Sequence, residues 1–408
     1  MDTPLTAKRG DITSWRAATE FADRYRQTAL ELAAYRGNNA EGLFAKACAS
    51  IVTAQEVHRQ LIGEMNNLIE GVSTAPVLTE VTTAFTTRLF RHFNYFKSAP
   101  AFYQLSGRFL ERMGTVVTAR VLKLVDTELP PLPKMAVIAL DGAGRGEYSP
   151  VAPLQLLLVH GEIGLEQHAS IDRFCSVLHD HFEQAGLPID PEITPRNLHW
   201  RGTLPEWQRR CAANGPLNGA DGGYSRLTDQ TLISPPNEIS DGFTQLTITA
   251  LRHNRPALAG LLTHIGSLSH GLNFMGRLKV ERQGEERGKF NLRDQGITPL
   301  GATLATLSLL KGSQAVSSCD RIRDLLLLRE LDVEMSERLL TAWHSLHLLQ
   351  LQQEGTGVNE GTTTPSLLLD PDELGGDALH TLKKSLEAVG SIQQLVVNSF
   401  SELGNNAV

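Results

Sequence analysis

The residues best suited to chemistry lie between two short apolar runs, MAVIAL at 135–140 and Leu154 to Val159. Between them, Gly142-Ala143-Gly144-Arg145-Gly146-Glu147 makes a turn whose glycines allow backbone N–H groups to face one anion, and Arg145 adds a cation. A phosphate is the ligand such a turn would take. The same residues equally suit a tight hairpin in which Arg145 pairs with Glu147 or Asp141, and Asp141 sets a negative charge against an anion. From residue types alone, both readings stand.

Other candidates carry less. His179-Asp180-His181 falls in a helical pattern, where residues two apart project about 200° from each other, so the two imidazoles cannot chelate together. His264, Ser267 and His270 invite a hydrolase reading, yet no G-x-S-x-G elbow accompanies them. Arg277, Lys279, Glu281, Arg282, Glu285, Glu286, Arg287 and Lys289 mix signs, as an exposed loop or helix end does. Cys48, Cys175, Cys211 and Cys319 lie far apart with no C-x-x-C pair, which argues against a zinc knuckle or a disulfide scaffold.

A length of 408 residues with 41% hydrophobic and 20% charged residues is enough for two or three globular domains. The formal charge of -7 disfavours a general nucleic-acid binder, which needs a basic face to release counterions. The first residues, MDTPLTAKRGDITSW, lack the apolar core of a secretory signal, and no uncharged run approaches bilayer-spanning length. A cytoplasmic protein without membrane contact is expected.

The elements that must position the turn follow from periodicity. From about Ser14 to Leu124 apolar residues recur at three- and four-residue steps, which predicts three to five helices, with FLERMGTVVTARVLKLV in one of them. Pro130, Pro131 and Pro133 end that element. Residues 135–240 change period: the two apolar runs predict neighbouring strands, Ser170 to Ala185 a helix, and the stretch through Trp200 and Asn218–Gly223 irregular chain. Helical period returns after Asp241, with leucine-rich segments at 300–311, 321–331 and 335–353, among them the core stripe Leu339, Trp343, Leu346. A polar separator at Glu354–Pro365 and a last helix from near Asp370 follow. The expected domains are 1–129, 130–240 and 241–408.

The turn and the strand after it resemble a motif shared by the PII uridylyltransferases and a related bacterial family of nucleotidyltransferases. Its pattern is G-[GS]-x-G-R-x-E, four residues, then [ST]-D-x-D; Gly142, Gly144, Arg145 and Glu147 match, and Asp141 stands where the first glycine would. Gly186-Leu-Pro188, Trp200 to Trp207, Phe274 to Leu278, Asn291 to Leu300 and Leu369 to Leu374 are similar to later segments of that family, over roughly residues 100–400. The resemblance implies an α+β chain, mostly helical, with a polymerase-β-like nucleotidyltransferase domain between N-terminal and C-terminal helical bundles, the last being a substrate-binding domain.

It also implies where metal should sit. Asp-x-Asp sets two hard oxygen ligands on one strand face, where two Mg²⁺ ions can activate a hydroxyl and stabilise the leaving pyrophosphate. This chain has Pro153 and Gln155 there, and an aspartate-x-arginine stretch on a later strand aligns with Ser234 to Pro236. The expectation is therefore no catalytic residue and no metal, with Gly142, Gly144, Arg145, Gly146 and Glu147 as a nucleotide-contacting turn and Arg277 and Arg293 as contacts for a substrate or an acidic partner. The function expected is a catalytically silent, regulatory module that binds a nucleotide or a protein, with self-association open. The alternative is an active enzyme that moves a nucleoside monophosphate from an NTP to a protein or small acceptor, using Mg²⁺ held from elsewhere.

Overall fold

The computed structural model describes residues 40–212, 226–361 and 367–399, with side chains from Glu56 onward. The helical stretch expected before Ala40 and the glycine-rich run Asn218–Gly223 lie outside the described residues. Three long helices come first: α1 (Ala40–Gly71), α2 (Leu78–Phe96) and α3 (Ala99–Glu128). Ser98 caps α3 by accepting from the Ala101 amide, and Pro100 sits in the first turn, where no donor is needed. The expected long amphipathic element is the body of α3. It stops one residue short of the Pro130-Pro131 pair, which cannot continue a helix.

The sheet follows. Its strands are β1 (Met135–Leu140), β2 (Leu156–His160), β3 (Arg201–Thr203) and β4 (Gln230–Leu232), with α4 (His168–Gln184) and α5 (Leu204–Arg210) between them. The spatial order is β3-β2-β1-β4; β1 runs antiparallel to both neighbours and β2 is parallel to β3. Alternation along the strands divides the interior in two. Met135, Val137, Ala139, Leu156 and Leu158 join the core that holds α2, α3 and α4, whereas Ile138, Leu140, Leu157 and Val159 pack with Trp200, Trp207 and Phe243.

The remainder is helical: α6 (Glu238–His253), α7 (Arg255–Ser267), α8 (Thr298–Leu310), α9 (Ser318–Leu327), α10 (Val333–Asn359) and α11 (Gly376–Ser399), with a two-residue ladder of β5 (Phe290–Asn291) and β6 (Leu368–Leu369). The chain is mostly helical α+β. Its larger core runs without a break from Leu61 on α1 to Val396 on α11, so the N-terminal helices, one sheet face and the C-terminal helices bury one another.

Two expectations are corrected. Residues 186–212 are not simply irregular, because Thr203 and Glu206 form a reciprocal cap that starts α5 directly after β3, and Trp207 is fully buried beneath it. Nor is Glu354 the start of a separator. α10 continues to Asn359, and a side chain on Gly355 would meet Phe90 of α2 at 3.1 Å, so the glycine that reads as a linker residue is a helix contact.

Candidate functional site

One end of the sheet collects the residues of interest. Leu140, the last residue of β1, lies opposite Gln230 on β4, and its amide donates to the Gln155 carbonyl at 2.9 Å. From there the chain makes one helical turn, Asp141–Gly144, and folds back. The amides of Arg145, Gly146 and Glu147 donate to the carbonyls of Asp141, Ala143 and Gly142 at 2.8, 3.1 and 2.7 Å. Those three donors close the turn and do not face an anion. Asp141 itself has φ +53°, so the place where the motif has glycine does need left-handed backbone, which aspartate tolerates better than most residues. Gly144 answers to contact: a β-carbon there would stand 2.2 Å from the Asp229 carbonyl oxygen.

Arg145 turns inward. Its Nη1 donates to Asp141 Oδ1 at 2.8 Å and to Asp229 Oδ2 at 2.5 Å, and its Nε donates to Glu147 Oε2 at 2.9 Å. The second oxygen of each buried acid is taken from the C-terminal helices. Arg321 on α9 donates to Asp229 Oδ1 at 2.6 Å, and the Trp343 indole on α10 donates to Glu147 Oε1 at 2.8 Å. Arg145, Glu147, Asp229 and Arg321 are each 7% exposed or less. Gly301 on α8 makes the space, since a β-carbon there would lie 3.2 Å from the Arg145 Cζ. The pairs of Arg145 with Glu147 and Asp141 that the hairpin reading needs are both made.

Charge states follow from this packing. Burial pushes the Glu147 carboxyl up, but Arg145 and His347 pull harder and hold it at about 2. Burial takes His347 down to about 4 against the opposing field of Glu147, so at neutral pH it is uncharged and its 3.8 Å approach to Glu147 is not an ion pair. Its Nδ1 lies 2.7 Å from the Tyr103 hydroxyl on α3. The phenol is pushed far up, first by burial and then by Glu354 and Glu147. The network thus joins α3, the turn, β4, α9 and α10.

The positions expected to have lost metal ligands separate. Pro153 is exposed on the rim and offers no ligand. Gln155 is half-buried, its Oε1 accepting from Arg226 Nη1 at 3.0 Å and its Nε2 donating to Asp190 at 3.3 Å. Ser234 does not belong with them. It follows β4 at the far end of β1, where its Oγ accepts from the Val137 amide at 3.0 Å. Because β4 is antiparallel to β1, the acid at the turn end of β4 is Asp229, five residues before the place first aligned.

Does this set suit a divalent cation? Both oxygens of Asp229 and both of Glu147 already accept from arginine or indole, and Pro153 and Gln155 carry no charge. Asp141 keeps one carboxylate oxygen outside these bonds, and Asp190 accepts from the Gln155 side chain and two backbone amides. Among the described residues no group of three or more His, Cys, Asp and Glu side chains could hold a metal ion. Mg²⁺ demands near-octahedral oxygen coordination, and these residues do not supply it.

Of the other residues, Arg293 starts a single π-helical turn, Arg293–Ile297, and is exposed. Arg277 is on a separate exposed hairpin closed by the Leu272–Leu278 bridge. His179 bonds Thr194 and His181 bonds the Val177 carbonyl, so they do not converge. Ser267 donates to the His264 carbonyl while His270 packs on Gly390, so no triad forms. Trp343 is core, as its stripe predicts, with its indole N–H as a polar handle. Sequence reasoning missed Asp229, Arg226, Arg321, Tyr103 and His347. Only Asp229 had a signal: Asp229-Gln230-Thr231 keeps the acid of the aspartate-x-arginine pattern if the alignment moves by five residues.

A small mixed sheet with a glycine turn between its central strands, enclosed by helices, defines a nucleotidyltransferase-type domain joined to a helical one. The family described as Putative nucleotidyltransferase DUF294 matches residues 93–214, and the Putative nucleotidyltransferase substrate binding domain matches residues 255–400. The chain belongs to this nucleotidyltransferase family. No curated protein matches it. Among the described residues, no helix is long and apolar enough to cross a membrane.

Proposed function

We propose that this chain is a nucleotidyltransferase-fold protein, related to the PII uridylyltransferases, that does not transfer nucleotides. It acts in the cytoplasm as a regulatory module that binds a nucleotide or a protein partner. The observation that carries this reading is the state of the acids. Two of the expected three are absent at Pro153 and Gln155, and the third, Asp229, is held on both oxygens by Arg145 and Arg321. Transfer of a nucleoside monophosphate needs fixed anionic oxygens that are free to take Mg²⁺. Here the nearest ones neutralise guanidinium groups.

The matched family supplies the fold and the name of the reaction, but a reaction belongs to a site and not to a fold. Labelled ATP, UTP, GTP and CTP, incubated with the protein, Mg²⁺ or Mn²⁺ and cell extract, test the reading. No label should move to a protein or small acceptor. Metal-dependent transfer that disappears in Asp229→Asn would overturn it and favour the active enzyme.

A further inference from the structure

Away from the turn, α6 carries a second surface. Its buried face, with Ile239, Phe243 and Leu251, packs in the core on one side of the sheet. The opposite face, at steps of three and four residues, presents Asp241, Thr244, Gln245, Ile248, Thr249 and Arg252. Together with Gln314 of the loop between α8 and α9, these residues line one open groove of about 410 Å³. The groove shares no residue with the turn or its network, and α6 lies between the two segments that the family models match, 93–214 and 255–400.

One end of the groove is built around a cation. Arg252 Nη2 donates to the Ser313 carbonyl at 3.0 Å, and the Gln314 side-chain oxygen, in the orientation that satisfies it, accepts from Nη1 and Nη2 at 3.0 Å. Ser313 donates to Asp324 Oδ2 at 2.8 Å and accepts from the Ala315 amide at 3.1 Å, which pins this loop to α9. Every acceptor on the guanidinium is therefore neutral, its buried Nε has no partner, and no carboxylate pairs with it among the described residues. At the other end Asp241 is exposed, and its carboxylate makes no hydrogen bond or ion pair among the described residues.

These two charges select the ligand. The step from residue 241 to residue 252 spans roughly 16 Å along the helix axis, which an extended chain covers in about five residues. A compact ligand cannot reach both ends, and a nucleic-acid strand would set phosphates against Asp241. Between the charges, Thr244, Gln245 and Thr249 offer hydroxyls and an amide that both donate and accept, as the backbone of an extended peptide requires, and Ile248 gives one apolar contact midway.

We propose that this groove docks an extended peptide segment of a partner protein, with an acidic side chain on Arg252 and a basic one on Asp241. Docking here does not depend on the chemistry of the turn, so nucleotidyl transfer in the assay above would leave it standing.

Fluorescence anisotropy of labelled hexapeptides with the full chain, at low ionic strength, tests it. The probes are acetyl-KSTSSE-amide, its reverse acetyl-ESSTSK-amide, and the uncharged acetyl-QSTSSQ-amide, since the groove does not fix the direction of the peptide chain. Saturable binding of at least one charged peptide is expected, about tenfold tighter than the uncharged one. Asp241→Asn should weaken that binding about threefold and Arg252→Gln more, whereas Asp377→Asn, an exposed acid on α11, should not change it. Because the Asp241 side chain holds nothing in the fold, its variant decides even if Arg252→Gln disturbs the loop. The proposal is overturned if neither charged peptide binds more tightly than the uncharged one, or if Asp241→Asn binds as the parent does.

Discussion

The two sides of the turn treat charge in opposite ways. On the β2 side, positions 153 and 155 are the uncharged Pro153 and Gln155, and the Gln155 amide bridges Arg226 and Asp190. On the β4 side, Asp229 and Glu147 remain, yet each is enclosed by donors from α9 or α10 as well as by Arg145. Counting acids would make the second side the better metal site. It is a poor one all the same, because a carboxylate bonded on both oxygens, as Asp229 is by two guanidinium groups, must lose those bonds before it can take a cation. The β4 side ties the sheet and the turn to α9 and α10.

The largest effect should come from breaking the buried side. Arg145→Ala removes the partner of three carboxylates, two of them buried, and an uncompensated buried charge costs about 3–5 kcal/mol. Urea unfolding should show the loss. Arg293→Gln, at an exposed position outside these bonds, should leave the midpoint unchanged; equal effects would end the distinction between buried and exposed arginines.

Acid should weaken this network and, separately, the helix packing around His92 and His58. His92 and His347 are both held down to about 4 by burial, so between about 6.5 and 4 the unfolded chain takes protons that the folded chain refuses. Stability therefore falls as pH falls through that window, by up to about 3 kcal/mol for each imidazole. Glu147 extends the loss from its ordinary 4.5 down to about 2, whereas Glu354, raised by burial, contributes stability that fades as pH rises above its ordinary value. Urea midpoints at pH 7, 6, 5 and 4 give the slope. His347→Gln should flatten part of it while lowering stability at pH 7, since the Tyr103 contact is lost.

A smaller and more diagnostic change is Gly301→Ala. In an unconstrained helix this exchange stabilises by about 1 kcal/mol. Here the new β-carbon meets a guanidinium pinned by three carboxylates, which cannot yield, and overpacking costs about 1–3 kcal/mol. A net loss is expected from thermal unfolding, and a net gain would mean that Arg145 is free to move.

How much of this was legible in the sequence differs by kind of signal. Helices α3, α4 and α8 to α10 followed from apolar spacing, and the β1–β2 pair from two short runs around a turn, because burial imposes those periods directly. The helix at 354–359 was hidden because glycine and threonine read as linker residues, while Gly355 is small in order to meet Phe90. Within the site, the turn was visible in local spacing, whereas positions 153 and 155 were singled out by the family resemblance alone. Arg321, Trp343 and His347 were not, since they approach Glu147 and Asp229 from helices about 90 to 200 residues away and no local pattern encodes that.

The last test has the smallest expected effect and concerns register. Pro153→Asp with Gln155→Asp restores the paired acids of the motif beside Asp229. Mn²⁺ binding, followed by electron paramagnetic resonance, should rise only modestly, because Arg226 would then pair with the new carboxylate at 155 and Asp229 stays bonded to Arg145 and Arg321. Adding Ser234→Asp should change the metal affinity not at all: residue 234 is bonded to the Val137 amide at the opposite end of β1 from Leu140, and it is buried. What it should change is stability, by about 1–3 kcal/mol, as a carboxylate replaces a small hydroxyl in that interior. A clear gain in Mn²⁺ affinity on adding Asp at 234 would mean that β4 pairs with β1 in a different register, and Asp229 would no longer be the later-strand acid.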